Sequence, residues 1–91
     1  MATKEKAYSD ATIGDVYETL RDLEFCPHEE LTDMFDLGKV RVSVSDSDDG
    51  VQLMRFTQAN GRGGICYSVN FDWNTPMEII AAAIRTAVDY Q

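Results

Sequence analysis

The stretch that decides the fold is residues 39–73, which reads KVRVSVSDSDDGVQLMRFTQANGRGGICYSVNFDW. Apolar and polar residues alternate from Val40 to Val44 and again from Ile65 to Trp73, which is typical of strands with one buried face. The run between them, from Val51 to about Gln58, alternates less cleanly, and either a bulge or burial on both faces would account for this. Short turns, one of them Asp49-Gly50, separate the runs. The stretch therefore predicts a three-stranded antiparallel meander.

Helices are predicted on both sides of this meander. Apolar residues recur at three- and four-residue steps near residues 11–24, after helix-start residues that include Thr12. Pro27 suits the first turn of a second, shorter helix, which Gly38 would end with a left-handed cap. A last helix is predicted to begin with Thr75-Pro76-Met77-Glu78, which has the pattern of a capping box and a proline at the first helical position.

The predicted fold is a two-layer α+β sandwich with the order helix, short helix, three-stranded antiparallel meander, helix. The 91 residues suit one domain, 1–91, with residues 1–9 as a flexible lead. We expect the helices to cover the face formed by the valines of the first strand and the aromatic residues of the third. The cations Lys39, Arg41 and Arg55 would then gather on the open face of the sheet.

The negative charge is concentrated in one part of the chain. Residues 10–36 hold nine carboxylates and one cation, Arg21, so the whole net charge of −8 lies there. At about 100° per residue, these carboxylates form acidic stripes on the two predicted helices, opposite their apolar faces. We predict that seven of them bind a partner: Asp15, Glu18 and Asp22 on the first helix, and Glu29, Glu30, Asp33 and Asp36 on the second.

A surface of one sign attracts cationic partners and repels nucleic acid. The simpler alternative is a solvated helix face, although such faces usually mix both signs because like charges one turn apart cost roughly 0.2–0.5 kcal/mol. We therefore expect a non-enzymatic binding protein that occupies the nucleic-acid-binding surface of a basic host protein. Carboxylates would contact its Lys and Arg side chains. Neither nucleic acid nor a membrane is expected as a direct partner.

Two other kinds of binding function stay open. The chain could be a structural interaction module or a homodimer, because a three-stranded sheet leaves two edges unpaired. It could also bind nucleic acid weakly through the predicted cations of the open sheet face, although stacking aromatic residues are missing from that face. Monomer and homodimer are both compatible with the sequence.

Enzymatic and metal sites are not expected. Cys26, His28 and Cys66 fit two packed thiols and a surface imidazole better than a zinc site or a nucleophile and base. The aspartates of residues 46–49 fit a hairpin turn better than a calcium loop, because Gly50 comes one position too early. We predict no cofactor. Two cysteines and no apolar run of about 18 residues favour the cytoplasm.

Two resemblances follow from the predicted element order. The predicted order of helix, three strands and helix resembles that of the double-stranded-RNA-binding domain. The alanine-rich last helix, with Ala81-Ala82-Ala83, adds to this resemblance. That family holds phosphates with lysines at the start of its last helix, where this chain has Thr75, Pro76, Met77 and Glu78, so RNA binding is not implied.

Small size, acidity and element order together resemble another class, the phage-encoded inhibitors of bacterial defence, and in particular anti-CRISPR proteins that act as DNA mimics. The resemblance includes no sequence motif and therefore assigns no residue. It implies inhibition by occupancy, without chemistry, in the cytoplasm of a host cell.

Overall fold

A computed structural model describes residues 11–28, 33–45 and 50–90. The elements in chain order are α1 (Ile13–Asp22), β1 (Cys26–Pro27), β2 (Met34–Leu37), β3 (Val40–Val44), β4 (Val51–Gln58), β5 (Arg62–Phe71) and α2 (Met77–Asp89). The strands form one sheet in the order β1-β2-β3-β4-β5, and all neighbours are antiparallel. No helix in the described residues is long and apolar enough to cross a membrane.

The core lies between one face of the sheet and the two helices. The inward residues of β3 alternate with half-buried ones, as its sequence pattern predicts. Side chains with 2 % exposure or less come from both layers: Val16 and Leu20 of α1, Val40, Val42 and Val44 of β3, Val51 of β4, and Ile80 and Ile84 of α2. These elements bury their apolar faces against one another, which is the main source of stability in a small domain.

The predicted fold is wrong in its strand number, because the sheet has five strands instead of three. The described residues of the predicted second helix are strands instead: Met34–Leu37 is strand β2, and Cys26–Pro27 forms β1 beside it. Gly38 has a positive φ of 59°, but it lies in the two-residue turn between β2 and β3. A glycine with this conformation suits a tight hairpin turn as well as a helix cap.

The two remaining helices lie where the sequence predicts them, with one difference at the start of α2. The hydroxyl of Thr12 caps α1 by accepting the N–H of Asp15 at 3.2 Å. In α2 the predicted capping box does not form: Pro76 is the cap residue and makes no side-chain cap bond. The hydroxyl of Thr75 instead donates to the Asp72 carboxylate at 3.3 Å.

The impure alternation of β4 comes from burial on both of its faces. Leu53 and Met54 are neighbours that point to opposite faces, yet they are only 3 % and 6 % exposed, so both faces of β4 are buried. In addition, β5 contains a bulge, because Arg55 pairs with Tyr67 whereas the next residue, Phe56, pairs with Ile65. Ile65 and Tyr67 therefore lie on opposite faces of the sheet, although they share one parity in the sequence.

Candidate functional site

The first predicted acidic stripe lies on α1 and is exposed. Asp15, Glu18 and Asp22 are all exposed, and they fall within about 60° of one another at 100° per residue. Their successive rise along the helix is roughly 4.5–6 Å. None of the three is in an ion pair with another described residue. Since Val16 and Leu20 hold the opposite face in the core, the stripe must face solvent or a partner.

The second predicted stripe is not present as predicted, because the described parts of the segment that would carry it form strands β1 and β2. Glu29 and Glu30 lie outside the described residues. Asp33 is exposed just before β2. Asp36 is a strand residue whose side chain is only 11 % exposed and is paired with Arg41. Of the seven predicted binding residues, the structure therefore brings Asp15, Glu18 and Asp22 into one row, and it removes Asp36 from the binding surface.

Asp36 and Arg41 form a bidentate ion pair across the hairpin. Nε and Nη2 of Arg41 donate to the two carboxylate oxygens at 2.7 and 3.1 Å. The guanidinium also lies 5.5 Å from the centre of the Phe56 ring, and Nη2 donates to the Asn60 carbonyl at 3.4 Å. The hydrogen bond to Asp36 raises the pKa of Arg41, partly opposed by burial and helped by the charge of Asp36. This pair holds β2 to β3.

The predicted basic cluster on the open sheet face is also not formed. Arg55 is on the helix face, where its Nη1 donates to the main-chain carbonyl of Tyr90 at the end of α2. Arg41 is on the open face but is already paired with Asp36. Lys39 alone does not make a basic patch. The geometry therefore gives weak nucleic-acid binding through this face little support.

The two cysteines cannot act together. Cys26 is in β1 and Cys66 is in β5, at opposite ends of the strand order, which at about 4.8 Å per strand places them roughly 19 Å apart. Both thiols are free and exposed, so the prediction that they are packed is wrong. Within the described residues no group of His, Cys, Asp and Glu has a geometry suited to a metal ion.

Sequence reasoning missed one surface, which lies between β5 and α2. Tyr67 and Val69 of β5 are each 41 % exposed, although they share a face with the buried Leu53. Beside them runs an apolar groove of about 550 Å³, here called the β5–α2 groove, lined mainly by Leu53, Tyr67, Val69, Ala83, Thr86 and Tyr90. The alternation in β5 predicts an apolar face, but it does not reveal that the helices leave this face partly uncovered.

The two helices leave β5 uncovered because α1 lies at the other end of the sheet. The ring of Tyr17 on α1 packs on that of Phe35 on β2, with centres 5.4 Å apart. A sheet of only three strands would have been covered by two helices each about 10 Å wide. With β1 and β2 added, α1 covers the new strands and α2 alone remains near β4 and β5.

No protein-family model, curated protein sequence or solved structure matches this chain. Its function is therefore inferred from its own residues.

Proposed function

We propose that this protein is a non-enzymatic binding protein that places the acidic face of α1 against a cationic, nucleic-acid-binding surface of a host protein. The observation that carries the proposal is the row of exposed carboxylates Asp15, Glu18 and Asp22, which have no cation paired with them in the described residues. The binding surface is smaller than the sequence suggests, since Asp36 is not part of it.

The spacing of the row supports this proposal. Its members lie one helical turn apart, roughly 4.5–6 Å, which is of the same order as the 3.4 Å per phosphate along one nucleic-acid strand. Lys and Arg side chains arranged to neutralise phosphates can therefore reach carboxylates in this row. Each contact would be a charge-assisted hydrogen bond, and an arginine could make it in bidentate form.

The rigidity of α1 also supports the proposal. The helix is fixed at its start by the Thr12 cap and along its inner face by the buried Val16 and Leu20. A charge row on such a helix needs little ordering when a partner binds, so less of the interaction energy is lost on association. Binding would be steered by opposite potentials and would weaken as salt rises.

In size and charge the chain resembles the phage-encoded inhibitors of bacterial defence, including the anti-CRISPR proteins that mimic DNA. The element order that contributed to this resemblance differs from the observed one, so size and charge alone support it. We therefore propose occupancy of a nucleic-acid-binding surface as the mode of action, and the DNA-mimic class as its most specific form.

Capture from a bacterial lysate tests this proposal, with the immobilised full chain as bait and short duplex DNA as competitor. We expect captured proteins to be nucleic-acid-binding proteins that added DNA releases. The Glu18→Gln/Asp22→Asn variant should capture much less of them, because it removes two charges of the row.

The matched control is Glu78→Gln/Asp89→Asn, which removes two exposed carboxylates from α2 and changes the net charge by the same amount. This control should capture as much as the unmodified chain. Equal losses in the two variants would mean that total charge, rather than the face of α1, determines binding. Capture that DNA does not displace would contradict mimicry.

A further inference from the structure

No strand among the described residues pairs with the outer edge of β5, which leaves its backbone groups available for another strand. The amide of Phe56 donates to the carbonyl of Lys39, the residue just before β3, so the even-numbered residues of β4 direct their backbone groups to β3 and the odd-numbered ones to β5. Leu53 pairs with Val69. Hence the N–H and C=O groups of Val69 bond to β4, whereas those of its neighbours Ser68 and Asn70 point away from the sheet.

The side chains beside this edge are apolar and exposed. Tyr67 and Val69 are each 41 % exposed on the helix face. Ile79 of α2 is 53 % exposed, and Tyr90, which follows the last residue of α2, is 77 % exposed. An edge that combines unpaired backbone with large exposed apolar side chains is a common site of protein association.

The charge distribution favours a second copy of this chain as the occupant. Although the chain has a net charge of −8, β5 contains no carboxylate and a single cation, Arg62. None of the residues that line the β5–α2 groove is acidic. Two copies could therefore approach each other here without bringing their acidic residues together, whereas the acidic α1 packs near Phe35 of β2, at the other end of the sheet.

We propose that two copies of this protein associate by antiparallel pairing of their β5 strands about a two-fold axis at Val69. The regular part of β5 lies between the bulge at Cys66 and the strand end at Phe71, and Val69 is its centre. In this register Ser68 of each copy bonds reciprocally to Asn70 of the other, which gives four backbone hydrogen bonds. Tyr67 of each copy lies opposite Phe71 of the other on the apolar face.

This pairing would give a continuous ten-stranded sheet with the two α1 helices at its far ends. The dimer would leave the acidic faces of both copies exposed. It does not depend on the function proposed for those faces, since it uses a different part of the molecule.

Sedimentation velocity of the full chain from about 1 μM to about 1 mM tests the association, a range that covers typical weak and moderate dimers. We expect a monomer–dimer equilibrium that Asn70→Pro weakens by about tenfold or more, because proline removes the N–H of an edge position in both copies. Asn70→Thr keeps this N–H and is the matched control. A monomer throughout the range, or a dimer equally stable in both variants, would overturn the proposal.

The register is tested by a disulfide at the two-fold axis. This cross-link also tests the association if the proline variant does not fold. Val69→Cys, combined with Cys26→Ser and Cys66→Ser, should form a disulfide-linked dimer on mild oxidation. A non-hydrogen-bonded antiparallel pair has Cα atoms about 4.5 Å apart, within reach of this bond. Ser43→Cys on β3, in the same Cys26→Ser and Cys66→Ser background, should not form a disulfide-linked dimer. Equal cross-linking at both positions would overturn the register.

Hydrogen exchange distinguishes pairing with a second copy from coverage of the β5 edge by another part of the same chain. The Ser68 and Asn70 amides should become protected as concentration rises, in parallel with the dimer fraction. Protection that is already complete in the monomer would mean that another part of the same chain covers the edge, and it would overturn the proposal.

Discussion

The carboxylate of Asp36 lies 2.7 Å from Nε and 3.1 Å from Nη2 of Arg41, across the hairpin that joins β2 to β3. The sequence predicts these residues on two different surfaces, one acidic and one basic. Their pairing removes a member from each surface and contributes to the fold instead. Among the described binding residues, Asp15, Glu18 and Asp22 remain as one exposed row on α1, and Asp33 is exposed outside that row.

Breaking this pair should destabilise the protein. Both side chains are only 11–14 % exposed, so Arg41→Met leaves a mostly buried carboxylate without its partner. We expect a loss of about 2–3 kcal/mol in the free energy of unfolding, less than for a fully buried pair. Urea denaturation measures it, and Asp22→Asn, at an exposed site, should stay within about 0.5 kcal/mol.

This loss should not depend on pH in the neutral range. The pKa of Arg41 is raised by its bond to Asp36, and a raised pKa gives stability that is lost only when pH rises through that pKa. Arginine keeps its proton throughout this range, so the loss caused by Arg41→Met should be the same at about pH 7 and about pH 9. A loss that disappears by the higher pH would contradict the assigned ion pair.

Two neighbouring isoleucines of α2 should respond very differently to truncation. Ile80 is fully buried, whereas Ile79 is 53 % exposed. Ile80→Ala should lower the free energy of unfolding by about 2–5 kcal/mol, because it leaves a cavity. Ile79→Ala, measured at low protein concentration, should change it by less than about 0.5 kcal/mol. Similar losses would mean that α2 is rotated from its described orientation.

Gly50 should not tolerate a side chain. It has a φ of 71°, and a Cβ there would be 2.0 Å from the main-chain oxygen of Phe71. Gly50→Ala should therefore cost at least about 2 kcal/mol, from backbone strain and this clash. Gly64→Ala is the control, since its Cβ would meet nothing within 4 Å. Thermal melts of both variants compare them, and an unchanged Gly50→Ala would contradict the β4–β5 geometry at this turn.

The start of α1 gives a further test. Thr12→Ala should cost about 1 kcal/mol, because it removes the cap that accepts the N–H of Asp15. Thr12→Ser keeps the hydroxyl and should cost little. Chemical denaturation distinguishes them, and equal stability of the two variants would show that the cap contributes nothing.

The part of the fold that local patterns determine could be predicted from the sequence. Val40 to Val44 has a clean period of two, and the α1 sequence has a clean helical period, so both are found where predicted. Met34–Leu37 has no such clarity, because a short run with three apolar residues fits a helix face or a strand equally well. Its pairing with β3 across a two-residue turn decides the outcome, and the apolar pattern of so short a run does not show that pairing.

The candidate site could likewise be predicted only where a local pattern determines it. The exposure of Asp15, Glu18 and Asp22 follows from the helical period. The burial of Asp36 does not, since it depends on the cross-strand partner Arg41. The exposure of Val69 also could not be read from the alternation in β5, because alternation groups residues by face but does not say which layer covers that face.

The central claim, that the face of α1 binds a cationic surface, is tested most directly by the affinity of a DNA-displaceable captured protein across a range of salt concentrations. Surface plasmon resonance with Glu18→Gln/Asp22→Asn should give an affinity about tenfold lower and a flatter salt dependence, since two screened contacts are lost. Glu78→Gln/Asp89→Asn should stay within about twofold of the unmodified chain. Equal affinities and equal salt slopes for the two variants would contradict the claim.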